Sequence, residues 1–198
     1  MPSALLVIDM LEDFFVDGPL AAARARLTAA VNELIRKARR RNVPVIWVRQ
    51  EFERDLSDAF LIMRKRTIPK TIKGTKGALI LPELDRRPED REVVKKRYSA
   101  FFRTDLDEQL RTLRVDTVVL AGINTHACVR TAAIDAYQRD LEVRIVRDCV
   151  LSPDEEHHRV SLEYLGDEIS VVVDLDTFEF EEGPGPPSGT RDAGELRP

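Results

Sequence analysis

The sequence predicts an α/β fold of three layers, with a six-stranded, mostly parallel, doubly wound sheet between two layers of helices. Two sequence patterns and their alternation along the chain support this prediction. Short apolar runs, typical of strands buried on both faces, alternate with segments whose apolar residues recur at helical spacing. Such alternation requires βαβ crossovers, which produce parallel strands with helices on both faces. We therefore expect a Rossmann-like sheet whose ligand site lies beyond the carboxyl ends of the strands.

Six apolar runs are interpreted as the strands of this sheet. The first run is continuous and stops at the charged Asp9, as expected for a fully buried strand. The later runs are separated by segments long enough to hold a crossover connection. The six predicted strands are residues 4–8, 45–48, 93–94, 117–121, 143–146 and 169–173.

Helices are predicted between these strands. Apolar residues recur at helical spacing from Leu27 to a point near Asn42. A long irregular region, residues 49–91, contains one short helix near residues 58–63. Thr104 is placed to cap the next helix. Its predicted buried face consists of Leu106, Leu110 and Leu113.

Two further helices flank the fifth strand. One is predicted over residues 125–138, directly after the fourth strand. Residues 152–155 have the sequence Ser-Pro-Asp-Glu, which is a capping box with proline at the first helical position. We expect the helix that begins there to end at Gly166.

Composition excludes several classes of protein. Basic side chains number 31 and acidic ones 35, a net charge of −4, so no basic excess is available to bind nucleic-acid phosphates. No apolar stretch approaches the roughly 18 residues of a membrane helix, and the first residues lack the basic region of a signal peptide. We expect a cytoplasmic protein that acts on a small molecule, with neither a nucleic acid nor a membrane as partner.

The last twenty residues differ from the rest of the chain. Residues 179–198 hold four of the 11 prolines and four of the 9 glycines, with few apolar side chains. Such a stretch buries too little surface to offset the entropy of ordering it. The sequence thus predicts one domain over residues 1–178 and a disordered tail over residues 179–198.

Three predicted strand ends carry an acid, an amine and a thiol. Asp9 follows the first strand, Lys95 follows the third, and Cys128 lies in the first turn of the helix after the fourth. Unpaired N–H groups and the dipole at a helix N-terminus favour a thiolate and can bind an oxyanion. Lys95 would lower the pKa of the thiol further, and Asp9 could accept its proton. Structural roles for the three, as a buried cysteine, a turn aspartate and a solvated lysine, remain the alternative.

Other residues of these types are given structural roles. Cys149 has no comparable setting, and two cysteines are too few for a disulfide framework. His126 is poorly placed as a base, only two residues from Cys128. His157 and His158 lie on a charged helix and are expected to be exposed.

Three segments resemble the signature motifs of the isochorismatase-like cysteine hydrolase superfamily. They are Asp-Met-Leu-Glu-Asp-Phe at residues 9–14, Lys-Lys-Arg-Tyr-Ser-Ala-Phe at residues 95–101 and Gly-Ile-Asn-Thr-His-Ala-Cys-Val at residues 122–129. The resemblance extends from about Leu5 to Val173. That superfamily includes nicotinamidases, N-carbamoylsarcosine amidase, ureidoacrylate amidohydrolase and biuret hydrolase.

The resemblance implies a catalytic triad of Asp9, Lys95 and Cys128. Lys95 matches the family lysine because it lies four positions before the serine of the Tyr-Ser-Ala-Phe segment. The resemblance also implies a cis peptide between Ile123 and Asn124, with the backbone N–H groups of Asn124 and Cys128 forming an oxyanion hole. The implied reaction is hydrolysis of an amide or ureide through a thioester. Family members are commonly dimers or tetramers, so we expect a homo-oligomer.

The sequence differs from those of nicotinamidases at one place, and this difference indicates which substrates of the superfamily to expect. Those enzymes carry metal-binding histidines after the second strand, whereas residues 49–55 contain none, so we expect neither a metal nor another cofactor. Residues 73–78 and the Asn-Thr-His-Ala segment are more similar to the N-carbamoyl and ureide branch. Vinyl ether hydrolysis, nicotinamide hydrolysis and a non-catalytic interaction role remain alternatives. Pocket candidates are Phe14, Gln50, Glu51, Tyr98, Phe101 and Asn124, with Arg49 or Arg54 as a possible carboxylate ligand.

Overall fold

The computed structural model describes residues 1–181 and confirms the predicted α/β fold. All six strands belong to one parallel sheet in the order β3-β2-β1-β4-β5-β6. This order places the reversal of winding between β1 and β4, where ligands bind in doubly wound sheets. The strands are β1 (Ser3–Ile8), β2 (Val45–Gln50), β3 (Arg91–Lys95), β4 (Thr117–Ile123), β5 (Glu142–Leu151) and β6 (Val171–Val173).

Within residues 1–181, four of the five α-helices cover the two faces of the sheet, and the short second helix packs in a separate small apolar cluster through Met63. Two apolar cores result, one on each face, and every residue of β1 is buried between them. The predicted face of the third helix is confirmed, with Leu106 and Leu110 buried and Leu113 packed against one core. The helices are α1 (Gly18–Arg40), α2 (Leu61–Arg66), α3 (Leu106–Thr112), α4 (Arg130–Tyr137) and α5 (Glu155–Glu168).

The first helix begins nine residues earlier than the apolar spacing from Leu27 indicated. Its N-terminal turn follows Asp17 and contains a proline. The added residues include several alanines, which favour a helix without producing an apolar stripe. Periodicity therefore detected only the part of α1 that packs on the sheet.

Both ends of the last helix differ from the prediction. Asp154 is the N-cap and its Oδ1 accepts a hydrogen bond from His157 N–H at 2.7 Å. Ser152 is instead bonded to His126, so the capping box predicted over residues 152–155 does not form. The helix continues past Gly166, where a Cβ would lie 3.3 Å from Val172, so this glycine allows α5 to pack closely on β6.

The packed part of the chain extends beyond the predicted boundary at residue 178. Phe180 is buried in one core and its ring packs edge-on against Phe178. Lys37 Nζ donates a hydrogen bond to the carbonyl oxygen of Phe178 at 2.8 Å. The remainder of the predicted tail, residues 182–198, lies outside the described residues.

Gly122 allows β4 to approach β1 next to the ends of both strands. Its φ is +112°, and a Cβ there would lie 2.0 Å from the carbonyl oxygen of Ile8. We expect Gly122→Ala to lower the free energy of unfolding by about 3 kcal/mol or more, measured by urea denaturation, because neither strand backbone can move aside. Gly74→Ala is the control, since φ is +76° there with open space around it. Equal losses for both variants would show that the contact with Ile8 is unimportant.

Candidate active site

Asp9, Lys95 and Cys128 meet at the carboxyl edge of the sheet and are called here the Asp–Lys–Cys cluster. Lys95 Nζ lies 2.7 Å from Asp9 Oδ2 and 3.3 Å from Cys128 Sγ. All three are buried, with exposures of 1%, 0% and 4% for Asp9, Lys95 and Cys128. The structure therefore brings together the three residues that the strand ends and the resemblance singled out.

The backbone of β2 orients the carboxylate of Asp9. Asp9 has a left-handed φ of +52°, a conformation that aspartate tolerates better than most residues. Its N–H donates to the carbonyl oxygen of Val48 at 2.8 Å, and its Oδ1 accepts from the N–H of Gln50 at 2.8 Å. With Oδ1 occupied in this way, Oδ2 points to Lys95.

Lys95 is held at three points. Its ammonium contacts Asp9, Cys128 and the carbonyl oxygen of Arg97, the last at 3.1 Å. The contacts with Cys128 and the Arg97 carbonyl oxygen are hydrogen bonds, and the contact with Asp9 is a buried ion pair. Lys95 therefore has a fixed position between the carboxylate and the thiol.

Cys128 lies in a turn of π-helix, Thr125–Val129, which continues into α4. The peptide bond between Ile123 and Asn124, just before this turn, is cis. The carbonyl oxygen of Asn124 accepts hydrogen bonds from the N–H groups of Ala127 and Val129, at 3.0 and 3.1 Å. Single turns of π-helix occur frequently at functional sites, and this one carries the thiol to the end of β1.

The charge state of the thiol differs from the expectation of a thiolate. Burial and the nearby Asp9 carboxylate raise the pKa of Cys128 to about 12, although Lys95 acts in the opposite direction. Burial lowers the pKa of Lys95, but the charges of Asp9 and Cys128 outweigh it, so that pKa is raised. At neutral pH the cluster is thus a neutral thiol beside an ammonium–carboxylate pair.

The raised pKa of Cys128 determines how its alkylation rate should depend on pH. Since the thiolate is the reacting form, we expect the rate at which iodoacetamide modifies Cys128 to rise about tenfold per pH unit from pH 7 to 10 without a plateau. Cys149 is fully buried, and burial also raises its pKa, so it provides an internal control that should react far more slowly. Mass spectrometry of the two cysteine peptides gives both rates. A plateau below pH 8 for Cys128 would mean that the resting thiol is already ionised.

A cavity of about 240 Å³ opens onto the cluster. It is smaller than the roughly 300–1,000 Å³ of pockets that bind drug-sized ligands, which indicates a small ligand. Four of the predicted pocket residues line it: Phe14, Gln50, Tyr98 and Asn124. Five lining residues were not predicted: Phe60, Ile62, Met63, Ile68 and Lys70.

Two of the pocket candidates, Glu51 and Phe101, lie outside the described cavity lining. Glu51 is not among the lining residues, and its carboxylate pairs with Arg49 at 2.6 Å. Phe101 is 3% exposed, belongs to the same apolar core as residues of α3 and α4, and is not among the lining residues. Arg49 also pairs with Glu92 at 2.7 Å, and Arg54 is exposed; neither arginine lines the cavity.

The histidines lie outside the cavity. His126 Nδ1 is 2.9 Å from Ser152 Oγ, and burial lowers its pKa. His158 is half-buried, with Nδ1 2.9 Å from Thr125 Oγ1, so the expectation that it is exposed was wrong; His157 is exposed. Within residues 1–181, no three histidine, cysteine, aspartate or glutamate side chains are grouped to hold a metal ion. No helix of this part of the chain is long and apolar enough to cross a membrane.

Comparison with known proteins identifies the family. The model of the isochorismatase domain matches residues 3–177. The chain belongs to the isochorismatase family. This isochorismatase-family protein is 34% identical over 168 residues to a probable inactive nicotinamidase of Arabidopsis thaliana, a match that covers 81% of this chain and 86% of the relative.

Solved structures share the fold over almost the whole domain. An isochorismatase family protein from Desulfovibrio vulgaris superposes with a TM-score of 0.81 at 29% identity, covering 88% of this chain and 94% of that one. N-carbamoylsarcosine amidase from Thermoplasma acidophilum superposes with a TM-score of 0.78 at 28% identity, covering 91% of this chain and all of the other. Amidases and nicotinamidases among these neighbours support the assignment of this isochorismatase-family protein as a hydrolase.

Proposed function

We propose that this protein hydrolyses the C–N bond of a small amide or ureide of the N-carbamoyl type, through a thioester on Cys128. One observation carries this proposal: Cys128 and Asp9 line the same small cavity, and both contact the buried ammonium of Lys95. A nucleophile, a base and a group that orients the base are thus within reach of one substrate. The structural likeness to N-carbamoylsarcosine amidase supports the ureide branch.

In the first half of the reaction, Cys128 Sγ attacks the substrate carbonyl carbon while the thiol proton passes to the Asp9 carboxylate. This transfer is needed because burial raises the pKa of the thiol and keeps it protonated until attack. The carbonyl π electrons move to oxygen, and the backbone N–H groups of Asn124 and Cys128 hold the resulting oxyanion. The C–N bond then breaks, and Asp9 returns its proton to the leaving amine or ammonia.

In the second half, water hydrolyses the thioester. Asp9, again a carboxylate, removes a proton from the water as it attacks. The second tetrahedral adduct then collapses to the acid, the C–S bond breaks, and Asp9 returns the proton to Cys128 Sγ. Lys95 stays an ammonium throughout because the charges around it raise its pKa. Its charge stabilises the Asp9 carboxylate in the resting state and the sulfur anion as the thiol proton leaves.

A substrate panel tests this function. Primary amides and N-carbamoyl amines of fewer than about ten heavy atoms would be screened for ammonia release. Cleavage that requires Cys128 supports the proposal. Three outcomes would contradict it: vinyl ether cleavage that persists in Cys128→Ala, nicotinamide as the preferred substrate, or no cleavage of any compound by protein whose Cys128 remains alkylatable. Sedimentation in the same preparation determines whether the protein is the homo-oligomer that we also propose.

A further inference from the structure

Lys70 places an unpaired positive charge in the cavity. It is half-buried, and its Nζ lies 4.7 Å from the centroid of the Phe14 ring, which also lines the cavity. Within residues 1–181 no acidic side chain forms a salt bridge with it. Four other lysines are paired with acidic side chains: Lys37, Lys73, Lys95 and Lys96. Lys70 therefore differs from them in having no counter-ion of its own.

The backbone around Lys70 is anchored next to the site. The N–H of Thr71 donates to Asp13 Oδ2 at 2.6 Å, so the residue after Lys70 is tied to the segment that follows β1. The carboxylate of Asp13 occupies the space beside Gly77, where a Cβ would lie 2.1 Å from the Asp13 carboxyl carbon. Phe14, next to Asp13 in sequence, makes a cation–π contact with the Lys70 ammonium, which lies over its ring. These contacts hold the backbone at Lys70 close to the cavity and place its ammonium over the Phe14 ring.

The charge of the cavity favours a monoanion. The charges of Asp9 and Lys95 cancel across 2.7 Å, and the pKa of Cys128, raised by burial, keeps the thiol neutral. Lys70 is the remaining charge among the described lining residues, and four further lining residues are apolar: Phe60, Ile62, Met63 and Ile68. An ion pair formed against apolar walls is stronger than one in water, because the local dielectric constant is lower.

We propose that Lys70 binds a carboxylate of the substrate, so that the substrates are amides or ureides that carry one negative charge. The statement that this carboxylate belongs to a substrate that the protein hydrolyses rests on the proposed function. Anion binding in the cavity that Lys70 and Cys128 both line does not, because it requires only the position of Lys70. The two ideas can therefore fail separately.

Two alkylating reagents of nearly equal size test the proposal without turnover. In both, Cys128 Sγ displaces iodide from a CH₂ group, but iodoacetate carries a carboxylate where iodoacetamide carries a neutral amide. We expect Lys70→Met to lower the ratio of the iodoacetate rate to the iodoacetamide rate at Cys128 by about tenfold, the effect of one lost charge-assisted contact. Lys70→Arg should keep most of the ratio. Lys76→Met, at an exposed lysine outside the cavity lining, should leave it unchanged.

The ratio of the iodoacetate rate to the iodoacetamide rate distinguishes anion binding by Lys70 from simple packing of Lys70 on Phe14. If Lys70 only packs on Phe14, both reagents change in rate together and the ratio stays within about twofold of the wild-type value, which would overturn the proposal. Lys70→Gln provides a second neutral variant in case Lys70→Met does not fold, as judged by thermal unfolding. A tenfold fall in the ratio with no hydrolysis of any amide or ureide would support the anion site and reject the hydrolase function.

Discussion

Replacing Cys128 by alanine is expected to reduce hydrolysis by a factor on the order of 10⁴ or more. No other thiol and no serine or threonine hydroxyl lies in the described cavity lining, which otherwise offers one carboxylate, one lysine, the Tyr98 phenol, amides and apolar side chains. Without the sulfur, the substrate carbonyl would have to be attacked by water directly, with Asp9 as base. Initial rates of ammonia release for wild-type and variant protein at saturating substrate measure the effect.

Cys149→Ala is the matched control for this variant. Cys149 is fully buried in the other core, lies outside the cavity, and burial and the neighbouring Asp148 raise its pKa. We expect its replacement to leave the rate of ammonia release within about threefold of the wild-type value while lowering stability slightly, as for loss of one small buried group. If the two alanine variants lose activity equally, the thiol of Cys128 is not the nucleophile.

Replacing Lys95 by methionine is expected to produce the second largest effect, on both stability and rate. The variant leaves the Asp9 carboxylate buried without its partner, which costs about 3–5 kcal/mol of unfolding free energy. Hydrolysis should also fall by a factor on the order of 10³ or more, because the base loses the charge that orients it. Urea denaturation and ammonia release are the two measurements.

The double variant Asp9→Asn, Lys95→Met separates these two effects. Removing both charges abolishes the buried unpaired carboxylate, so we expect most of the lost stability to return. Activity should not return, since the double variant has no base. Recovery of activity together with stability would mean that the Asp9–Lys95 pair serves only the fold.

The Asp–Lys–Cys cluster could be predicted from sequence because parallel strands end at one edge of a sheet. Asp9 and Cys128 follow β1 and β4, which are direct neighbours, and Lys95 ends β3, which is separated from β1 by β2. The apolar runs located these ends to within a few residues. The strand order itself cannot be obtained from apolar runs, because it depends on which helices pack on which face.

Five of the twelve described residues of the cavity wall could not be predicted, for a different reason. Phe60, Met63 and Lys70 belong to a region without regular periodicity, so neither their direction nor their distance from Cys128 follows from spacing. Gln50 lines the cavity, whereas its neighbour Glu51 pairs with Arg49. Which of these two side chains faces the cavity depends on the residue at which β2 ends.

The charge state of the thiol also required coordinates. The position of Cys128 near a helix N-terminus and a lysine indicated a lowered pKa, which is the usual effect of those two features. The burial of the sulfur and the proximity of Asp9 act in the opposite direction and are stronger, so the pKa is raised. Sequence indicates which charges are near a group, but burial sets how strongly each acts.

Partitioning of the intermediate between water and hydroxylamine tests the central claim most directly. Two substrates with the same acyl group but different leaving amines would be hydrolysed in the presence of hydroxylamine, and the ratio of hydroxamate-type product to acid would be measured. A thioester on Cys128 predicts the same ratio for both substrates, because both pass through one acyl-enzyme after the amine has left. Different ratios, or acid as the sole product from both, would contradict covalent catalysis by Cys128.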